Sequence, residues 1–335
     1  MRRIAVASAM ILTALATAVA GASTKGTTLN LVAYSTPKTV MGKIVQAWQQ
    51  TPDGSGNNVN AVYGPSTDQA RAVAAGLKAD LVFLSTGDDV NTLVDAGLVD
   101  KNWQKQQTAN GDEADSVVVF AFRGGNPKHI KTWNDLVRPG VQVVTPNPFS
   151  SGSAKWNVLA AYAAARAEGK PDKRAQAFVL RLFKNVVSQD SSGRNATNTF
   201  LAGKGDVLLT YESEAYTAKA AGKDLQIISP KQTMLIQLPM VPLKTAPTKA
   251  TAFIKYCHSY GAQKLFTQAG YRPVIGSVLK NPALKAWKAR FNIGSHLIFS
   301  IKDKIFGGWG KANNVWFSPN GRMMTIEKAV GGPTS

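Results

Sequence analysis

The chain has 335 residues, of which 44% are hydrophobic and 18% are charged. This composition fits a folded globular protein and excludes an intrinsically disordered one, and the length suffices for two modest domains. Lys and Arg outnumber Asp and Glu by 39 to 20, which gives a formal net charge of +19. Such a charge attracts nucleic acid, an anionic membrane or a small anion without choosing among them, and it also fits a merely solvated basic surface.

The N-terminus has the pattern of a secretory signal peptide. Arg2 and Arg3 precede an apolar stretch that runs to about Val19, and the small residues of Ala18-Val19-Ala20 offer a cleavage site, with an overlapping one at 20–22. The apolar stretch is short for a membrane anchor, and no cysteine follows it for lipoprotein attachment. We therefore expect an exported protein from which residues 1–22 are removed.

Residues that could carry catalysis or bind a metal are sparse. Cys257 is the only cysteine, so it cannot form an internal disulfide, and its helical surroundings predict a buried structural thiol. His129, His258 and His296 are isolated, and the sequence has neither a hydrolase motif nor a metal-ligand spacing. We expect no catalytic residue, no metal site and no cofactor, and hence a protein that is not an enzyme.

Short apolar runs alternate with helical patterns along most of the chain. Strands are predicted at 29–34, 59–63, 81–84, 116–122, 141–144 and 207–210, and helices at 39–50, 67–77, 88–96, 153–168 and near 195–201. This alternation predicts an α/β fold with parallel sheets covered by helices, and Asp88 is the predicted cap of the third helix. The sequence has no internal repeat and no low-complexity linker, so we expect two halves joined by crossing strands.

Ser, Thr and Gly are concentrated at four strand-to-helix junctions. These junctions are 34–37, 64–67, 146–153 and 190–194. Ligands of open α/β sheets bind beyond the carboxyl ends of the strands, where helix starts present unpaired N–H groups and a positive dipole end. Each junction alone fits an ordinary helix cap or turn. Their number in one basic, exported chain favours an anion site built from main-chain donors.

Several motifs resemble those of the periplasmic sulfate-binding proteins and their thiosulfate-binding sisters. They follow one another in family order from about 29 to 309, and include Lys101-Asn102-Trp103, Arg123-Gly124-Gly125-Asn126-Pro127-Lys128, Trp133-Asn134-Asp135-Leu136, Thr145-Pro146-Asn147-Pro148, Tyr271-Arg272-Pro273 and Phe306-Gly307-Gly308-Trp309. The resemblance implies a two-lobed periplasmic-binding-protein fold of type II. Each lobe would be a mainly parallel sheet with flanking helices, and crossover hinge strands would join lobe I (23–115 plus 239–335) to lobe II (116–238).

The resemblance also implies a function and a set of contacts. The protein would be the periplasmic solute-binding protein of an ABC importer, a monomer that captures sulfate or thiosulfate and delivers it to a membrane permease. The implied ligand-binding residues are Ser35, Thr36, Ser66, Ser151, Gly152, Ser153, Gly193 and Tyr211, with Arg194 bracing the backbone around the anion. Tyr211 stands where sulfate binders have an indole and thiosulfate binders a phenyl ring, so the choice between these two anions stays open.

Anions other than sulfate and thiosulfate are alternative ligands. Sulfate is a dianion with no proton to donate, so a site that offers only donors suits it, whereas monohydrogen phosphate also needs an acceptor. Molybdate, tungstate or phosphate could still occupy such a fold. A basic exported protein that interacts with nucleic acid or anionic lipid is the less favoured alternative, and the scattered cations without interleaved aromatic residues make nucleic acid an unexpected partner. Asp68 would repel an anion and is expected to face away from it.

Overall fold

The computed structural model describes residues 26–335, so the predicted signal peptide lies outside the described residues. The strands are β1 (Thr28–Tyr34), β2 (Asn58–Gly64), β3 (Leu81–Phe83), β4 (Asp112–Phe122), β5 (Val143–Pro146), β6 (Val186–Asp190), β7 (Val207–Tyr211), β8 (Gln226–Ile228), β9 (Gln232–Pro242) and β10 (Leu297–Phe299). The helices are α1 (Lys38–Gln49), α2 (Ser66–Ala74), α3 (Gly87–Asp95), α4 (Gly152–Ala167), α5 (Asp172–Lys184), α6 (Gly193–Leu201), α7 (Glu212–Ala220), α8 (Thr248–Cys257), α9 (Tyr260–Gln268), α10 (Lys285–Phe291), α11 (Trp309–Trp316) and α12 (Arg322–Val330).

Two parallel sets of strands form the framework. In the first, β1 pairs in parallel with β2 and β3, and in the second, β5 pairs in parallel with β6 and β7. The strand order across the curled sheet is β2-β1-β3-β9-β4-β7-β5-β6, with β8 added to β4 and β10 added to β9. The predicted α/β class, with mainly parallel strands in each half, is confirmed.

The two halves are joined by the long strands β4 and β9, each of eleven residues. They pair with each other antiparallel, and then β4 continues along β7 while β9 continues along β3. Both predicted lobe boundaries, after residue 115 and after residue 238, fall inside these strands. The connection is therefore a pair of hydrogen-bonded crossing strands and not a loose linker.

The largest buried element is α4, whose side chains are buried from Gly152 to Ala165. A helix that is buried around its whole circumference is covered by neighbours on several sides, and α4 packs against both β9 and α5. The third helix begins differently from the prediction, because Thr86 and not Asp88 is its cap: the Thr86 side chain accepts from the Asp89 N–H at 3.1 Å. Within residues 26–335, no helix combines the length and the apolarity needed to cross a bilayer.

The last part of the chain contacts both halves of the molecule, whereas the predicted boundaries assign it to lobe I. Trp309 of α11 stacks edge-to-face on Trp156 of α4, with ring centroids 4.7 Å apart. Arg322 of α12 forms a salt bridge of 2.6 Å with Asp172 of α5. These aromatic and charged contacts attach α11 and α12 to α4 and α5 of the second half, and α11 also packs against α3 of the first half.

Two buried carboxyls of the crossing strand β4 titrate close to neutrality. Burial raises the pKa of Asp112 to about 7, and burial together with the Asp112 carboxyl raises the pKa of Asp115 to about 7. Because the folded state then holds these protons more tightly than the unfolded state, the stability that these two carboxyls contribute is fully present below the unfolded pKa of about 4 and is lost as the pH rises through about 7.

We therefore expect the melting temperature to fall as the pH is raised from about 4 to about 7, and to fall less in the Asp115→Asn variant, which cannot ionise. Differential scanning calorimetry at a series of pH values measures both slopes. Equal slopes in the two proteins would show that Asp115 ionises alike in the folded and unfolded chains.

Candidate functional site

The strand-to-helix junctions of the two halves meet at one place between them. Thr36 follows β1 and Ser85 follows β3 on one side, while Gly152, Gly193 and the end of β7 approach from the other. In parallel sheets the carboxyl ends of neighbouring strands lie at the same edge, which is why residues distant in sequence converge here.

The start of α4 fits tightly against the opposite lobe at Gly152. A Cβ atom on Gly152 would lie 2.1 Å from Ser85 Oγ and 2.8 Å from Thr86 Cγ2, both closer than non-bonded atoms approach. The main chain of α4 can reach the other lobe only because residue 152 has no side chain. The two lobes are therefore in direct contact at the site, in a closed arrangement.

The start of α6 closes another side of the same site. A Cβ atom on Gly193 would lie 3.2 Å from Ser153 Oγ of its own lobe and 3.4 Å from Thr36 Cγ2 of the other. The first N–H groups of a helix have no intrahelical acceptor. Gly152 and Ser153 at the start of α4, and Gly193 at the start of α6, thus bring main-chain donors and two positive helix ends to one place.

Buried hydroxyls at the site lack partners. Among the described residues no hydrogen-bond partner is found for the hydroxyl oxygens of a group of side chains from both lobes: Tyr34, Thr36, Ser85, Ser153, Tyr211 and Tyr271. Buried polar atoms are normally hydrogen-bonded, and leaving one unpaired costs about 1–3 kcal/mol. Six such hydroxyls in one region fit a polar ligand that accepts hydrogen bonds.

Tyr211 remains a proton donor under all ordinary conditions. Burial raises its pKa far above the usual value, and the nearby hydroxyls of Ser85 and Ser153 only partly oppose that shift. These three side chains come from both lobes and surround the start of α4. On the other side of the site, burial raises the pKa of Tyr271 to about 12, with the hydroxyls of Thr36 and Tyr34 opposing the shift. Both phenols therefore present O–H groups.

Not every predicted contact has a free donor. The Ser66 hydroxyl donates to Asp89 at 2.6 Å and accepts from the Ser85 N–H at 2.9 Å, so its side chain is already engaged. The Ser151 N–H donates to the Asn147 carbonyl at 2.9 Å, which leaves only its hydroxyl. In the first junction Thr36 is 3% exposed whereas Ser35 is only half-buried, so Thr36 is the better placed of the two.

Arg194 braces the main chain instead of presenting its charge to the site. Its guanidinium lies 2.7 Å from the Glu214 carboxylate and donates to the Thr36 carbonyl at 3.0 Å. Since Thr36 and Arg194 belong to different lobes, this bond also holds the two together. A role of Arg194 in supporting the backbone around an anion stays a prediction of the resemblance.

A buried ion pair lies behind α4. Lys155 of α4 is 4% exposed and contacts the carboxylates of Asp88 at 2.7 Å and Asp89 at 3.5 Å, both on α3 of the opposite lobe. Burial alone would lower the pKa of Lys155, but the two carboxylates outweigh it and raise the pKa, so the ammonium stays charged. We call these three residues the interlobe latch.

The carboxylate of Asp89 is part of the wall of the site. A Cβ atom on Gly152 would lie 3.2 Å from Asp89 Oδ2. Its two oxygens accept from the hydroxyls of Ser66 at 2.6 Å and Thr67 at 2.8 Å, and the latch ammonium neutralises it. Asp68, the acidic residue of the second junction, is exposed and pairs with Arg71 at 3.4 Å. That it faces away from the anion stays a prediction.

Sequence reasoning missed Ser85, Lys155 and the two tyrosines Tyr34 and Tyr271. Ser85 follows a predicted strand directly, so the rule that indicated the four junctions could have indicated this fifth one. Lys155 carried no signal, because a lysine inside a helix is usually exposed, and only the pairing of α4 with α3 explains its burial. Within residues 26–335, no group of His, Cys, Asp and Glu side chains could hold a metal ion.

Comparison with known proteins identifies the family to which the chain belongs. Residues 29–272 match the family of bacterial extracellular solute-binding proteins. The chain is 39% identical over 298 residues to the sulfate-binding protein of Salmonella typhimurium, covering 84% of this chain and 86% of that one. It is 32% identical over 289 residues to the thiosulfate-binding protein of Escherichia coli, covering 83% of each.

A solved structure of a sulfate-binding protein has the same fold as this chain. The sulfate-binding protein SubI from Mycobacterium tuberculosis superposes with a TM-score of 0.80 at 41% identity, covering 87% of this chain and 100% of that one. The protein belongs to the bacterial extracellular solute-binding proteins, in the branch that contains these sulfate- and thiosulfate-binding relatives. The two-lobed fold of type II expected from the sequence is that of this family.

Proposed function

We propose that the protein captures sulfate between its two lobes and delivers it to the permease of an ABC importer. The observation that carries the proposal is the convergence of two helix starts and six unpartnered buried hydroxyls at the place where the lobes touch. The charged groups nearest to the site are already paired, Arg194 with Glu214 and Lys155 with the latch carboxylates. The anion is thus recognised by neutral donors, assisted by helix dipoles.

The number of donors is sufficient for tight binding. A hydrogen bond to a charged group contributes about 1.5–3 kcal/mol net, and micromolar affinity needs about 8 kcal/mol. Four or five such bonds suffice after the cost of desolvation. Since sulfate needs only donors, an anion that carries a proton leaves one of its own hydrogens unpaired unless a hydroxyl turns to accept it.

In transport, the protein alternates between an open form and a closed form that holds the anion. The lobes close over the anion by bending at β4 and β9, and the closed form docks on the permease as a monomer. Residues 1–22 direct the chain to the periplasm and are cleaved. The relatives are named as binding proteins, which supports a role in capture without chemistry.

Isothermal titration calorimetry with sulfate, thiosulfate, molybdate and phosphate tests the ligand. We expect sulfate or thiosulfate to bind at micromolar concentration or tighter, and phosphate to bind at least about 100-fold more weakly. Equal binding of phosphate and sulfate would contradict recognition by donors alone. If molybdate bound most tightly, the ligand of the protein would be a larger oxyanion than sulfate.

Tyr211 is expected to tune the choice between sulfate and thiosulfate. The Tyr211→Phe change removes one hydroxyl donor from a fully buried position, so sulfate affinity should fall by about 10- to 100-fold. Thiosulfate affinity should fall less, because its terminal sulfur is the weaker acceptor. Titration of both anions measures the ratio, and Tyr256→Phe on α8, where the side chain is only half-buried, is the matched control. An equal loss for the two anions would show that Tyr211 does not distinguish them.

A further inference from the structure

More than half of the net positive charge of the protein comes from one stretch of the sequence that has no acidic residue. Between Asp224 and Asp303 the chain has eleven Lys and Arg residues and no Asp or Glu. Within the described residues only Lys249 and Arg272 of these eleven pair with a carboxylate. The exposed members are Lys231, Lys244, Lys255, Lys280, Lys285, Lys288, Arg290 and Lys302. Most of this charge therefore faces solvent unneutralised.

Three of these cations lie on the short helix α10. Lys285 and Lys288 are exposed and three residues apart, which places them on one face of the helix. Arg290 is also exposed, and its guanidinium lies 4.7 Å from the Trp287 ring centroid and 5.5 Å from that of Tyr216. Arg290 borders a cavity of about 420 Å³ that Trp287 and Tyr216 also line, together with Lys219 and residues of β8.

The strand β10 adds exposed aliphatic side chains to the same stretch of the chain. Leu297 and Ile298 of β10 are 49% and 40% exposed, although both are large and apolar. The Leu297 N–H donates to the Lys231 carbonyl at 2.7 Å, so a further exposed cation adjoins the strand. Since the His296 ring contacts the Ser229 carbonyl at 3.1 Å, the segment after α10 is held against the loop between β8 and β9. We call the exposed residues Lys231, Lys285, Lys288, Arg290 and Leu297 together the basic face. Ile298, the next residue of the strand, points to the other side of β10.

We propose that the basic face binds the phosphate headgroups of an anionic lipid bilayer and holds the protein at the membrane surface. Unpaired cations attract anionic headgroups, and the exposed side chain of Leu297 beside Lys231 can enter the boundary between headgroups and acyl chains. The family works outside the cell membrane, so such a surface lies within reach of the protein.

Lipid suits the basic face better than nucleic acid does. Single-stranded nucleic acids are bound by aromatic side chains that stack on bases. Trp287 is the aromatic residue of α10 nearest to these cations, and its ring is packed edge-to-face on Tyr216 at 5.1 Å and lies under Arg290. A base would have to displace Arg290 to stack on Trp287, whereas a headgroup phosphate needs only the cations.

Sedimentation with lipid vesicles tests the proposal on the full exported protein. Vesicles of phosphatidylcholine with about 30% phosphatidylglycerol carry the anionic surface, and pure phosphatidylcholine vesicles lack it. The protein should bind the anionic vesicles and not the neutral ones, with affinity that falls as salt is raised. The Lys285→Ala/Lys288→Ala/Arg290→Ala variant should bind about 100-fold more weakly, since each cation near the surface contributes about fivefold.

The control variant removes the same charge from another exposed helix. Lys173→Ala/Arg174→Ala/Lys184→Ala on α5 should change vesicle binding by less than about threefold if the basic face makes the contact. If both variants bound the vesicles equally weakly, the binding would depend only on net charge and the proposal would be overturned. Absence of vesicle binding by the natural protein would overturn it as well. Tighter binding of a DNA duplex, lost in the α10 variant, would assign the face to nucleic acid instead. Sulfate titration of the same variants is expected to be unchanged, so this test stands apart from the transport function.

Discussion

The Gly152→Ala variant should bind sulfate about 10- to 100-fold more weakly than the natural protein. The added methyl group would lie 2.1 Å from Ser85 Oγ and 2.8 Å from Thr86 Cγ2, and both atoms belong to the opposite lobe. Overpacking of this kind costs about 1–3 kcal/mol, and here the cost arises only when the lobes are closed. Binding should therefore suffer while folding does not.

Gly42→Ala on α1 is the matched control for that experiment. A Cβ atom at Gly42 meets no other atom within 4 Å, so this change should leave sulfate binding unaltered and add a little helix stability. Calorimetric titration gives the affinities, and thermal melting without ligand shows that both variants fold. Unchanged affinity of the Gly152→Ala variant would mean that sulfate binds without the close approach of α4 to the other lobe.

The Lys155→Met variant is expected to have the largest effect on binding. The change removes the ammonium of the interlobe latch and leaves Asp88 and Asp89 buried against α4 without their cation. Breaking a buried ion pair in this way costs about 3–5 kcal/mol, and because the pair forms across the lobes, the cost falls on the closed state. Sulfate affinity should fall by about 100-fold or more, although α4 keeps its main-chain donors.

Two further variants distinguish the latch from a general effect of lost charge. Lys128→Met removes a cation whose contact with Asp206, at 3.8 Å, is exposed and lies within one lobe, so sulfate affinity should change little. Adding Asp88→Asn to Lys155→Met removes one of the stranded charges and should restore part of the affinity. If the double variant bound no better than the single one, the electrostatic explanation of the latch would be wrong.

The sequence predicted the framework because strand and helix patterns are local. The predicted strands at 29–34 and 59–63 lie within β1 and β2 to one residue at each end, and the helix at 153–168 overlaps nearly all of α4. Each of these segments is an apolar run with clear turn signals at both ends. By contrast, the sequence did not predict β6, whose residues are all only partly buried and carry a weak pattern.

The site could be predicted only in part, because its geometry depends on contacts between the lobes. The Ser, Thr and Gly junctions indicated where the main-chain donors come from, and the resemblance named Thr36, Gly152, Ser153 and Gly193. No local pattern could show that the Ser66 hydroxyl is already engaged by Asp89. Nor could it show that the C-terminal helices pack on α4 and α5, since such contacts join segments more than a hundred residues apart.

A crystal structure with selenate most directly tests the claim that the anion lies between the lobes. Selenate has the shape and charge of sulfate, and its selenium gives an anomalous signal that fixes the position of the anion without prior assumptions. We expect a single strong peak within hydrogen-bond reach of the N–H groups of Gly152 and Gly193 and of the Tyr211 hydroxyl. A peak on the outer surface, with the lobes closed and these donors facing water or one another, would contradict it.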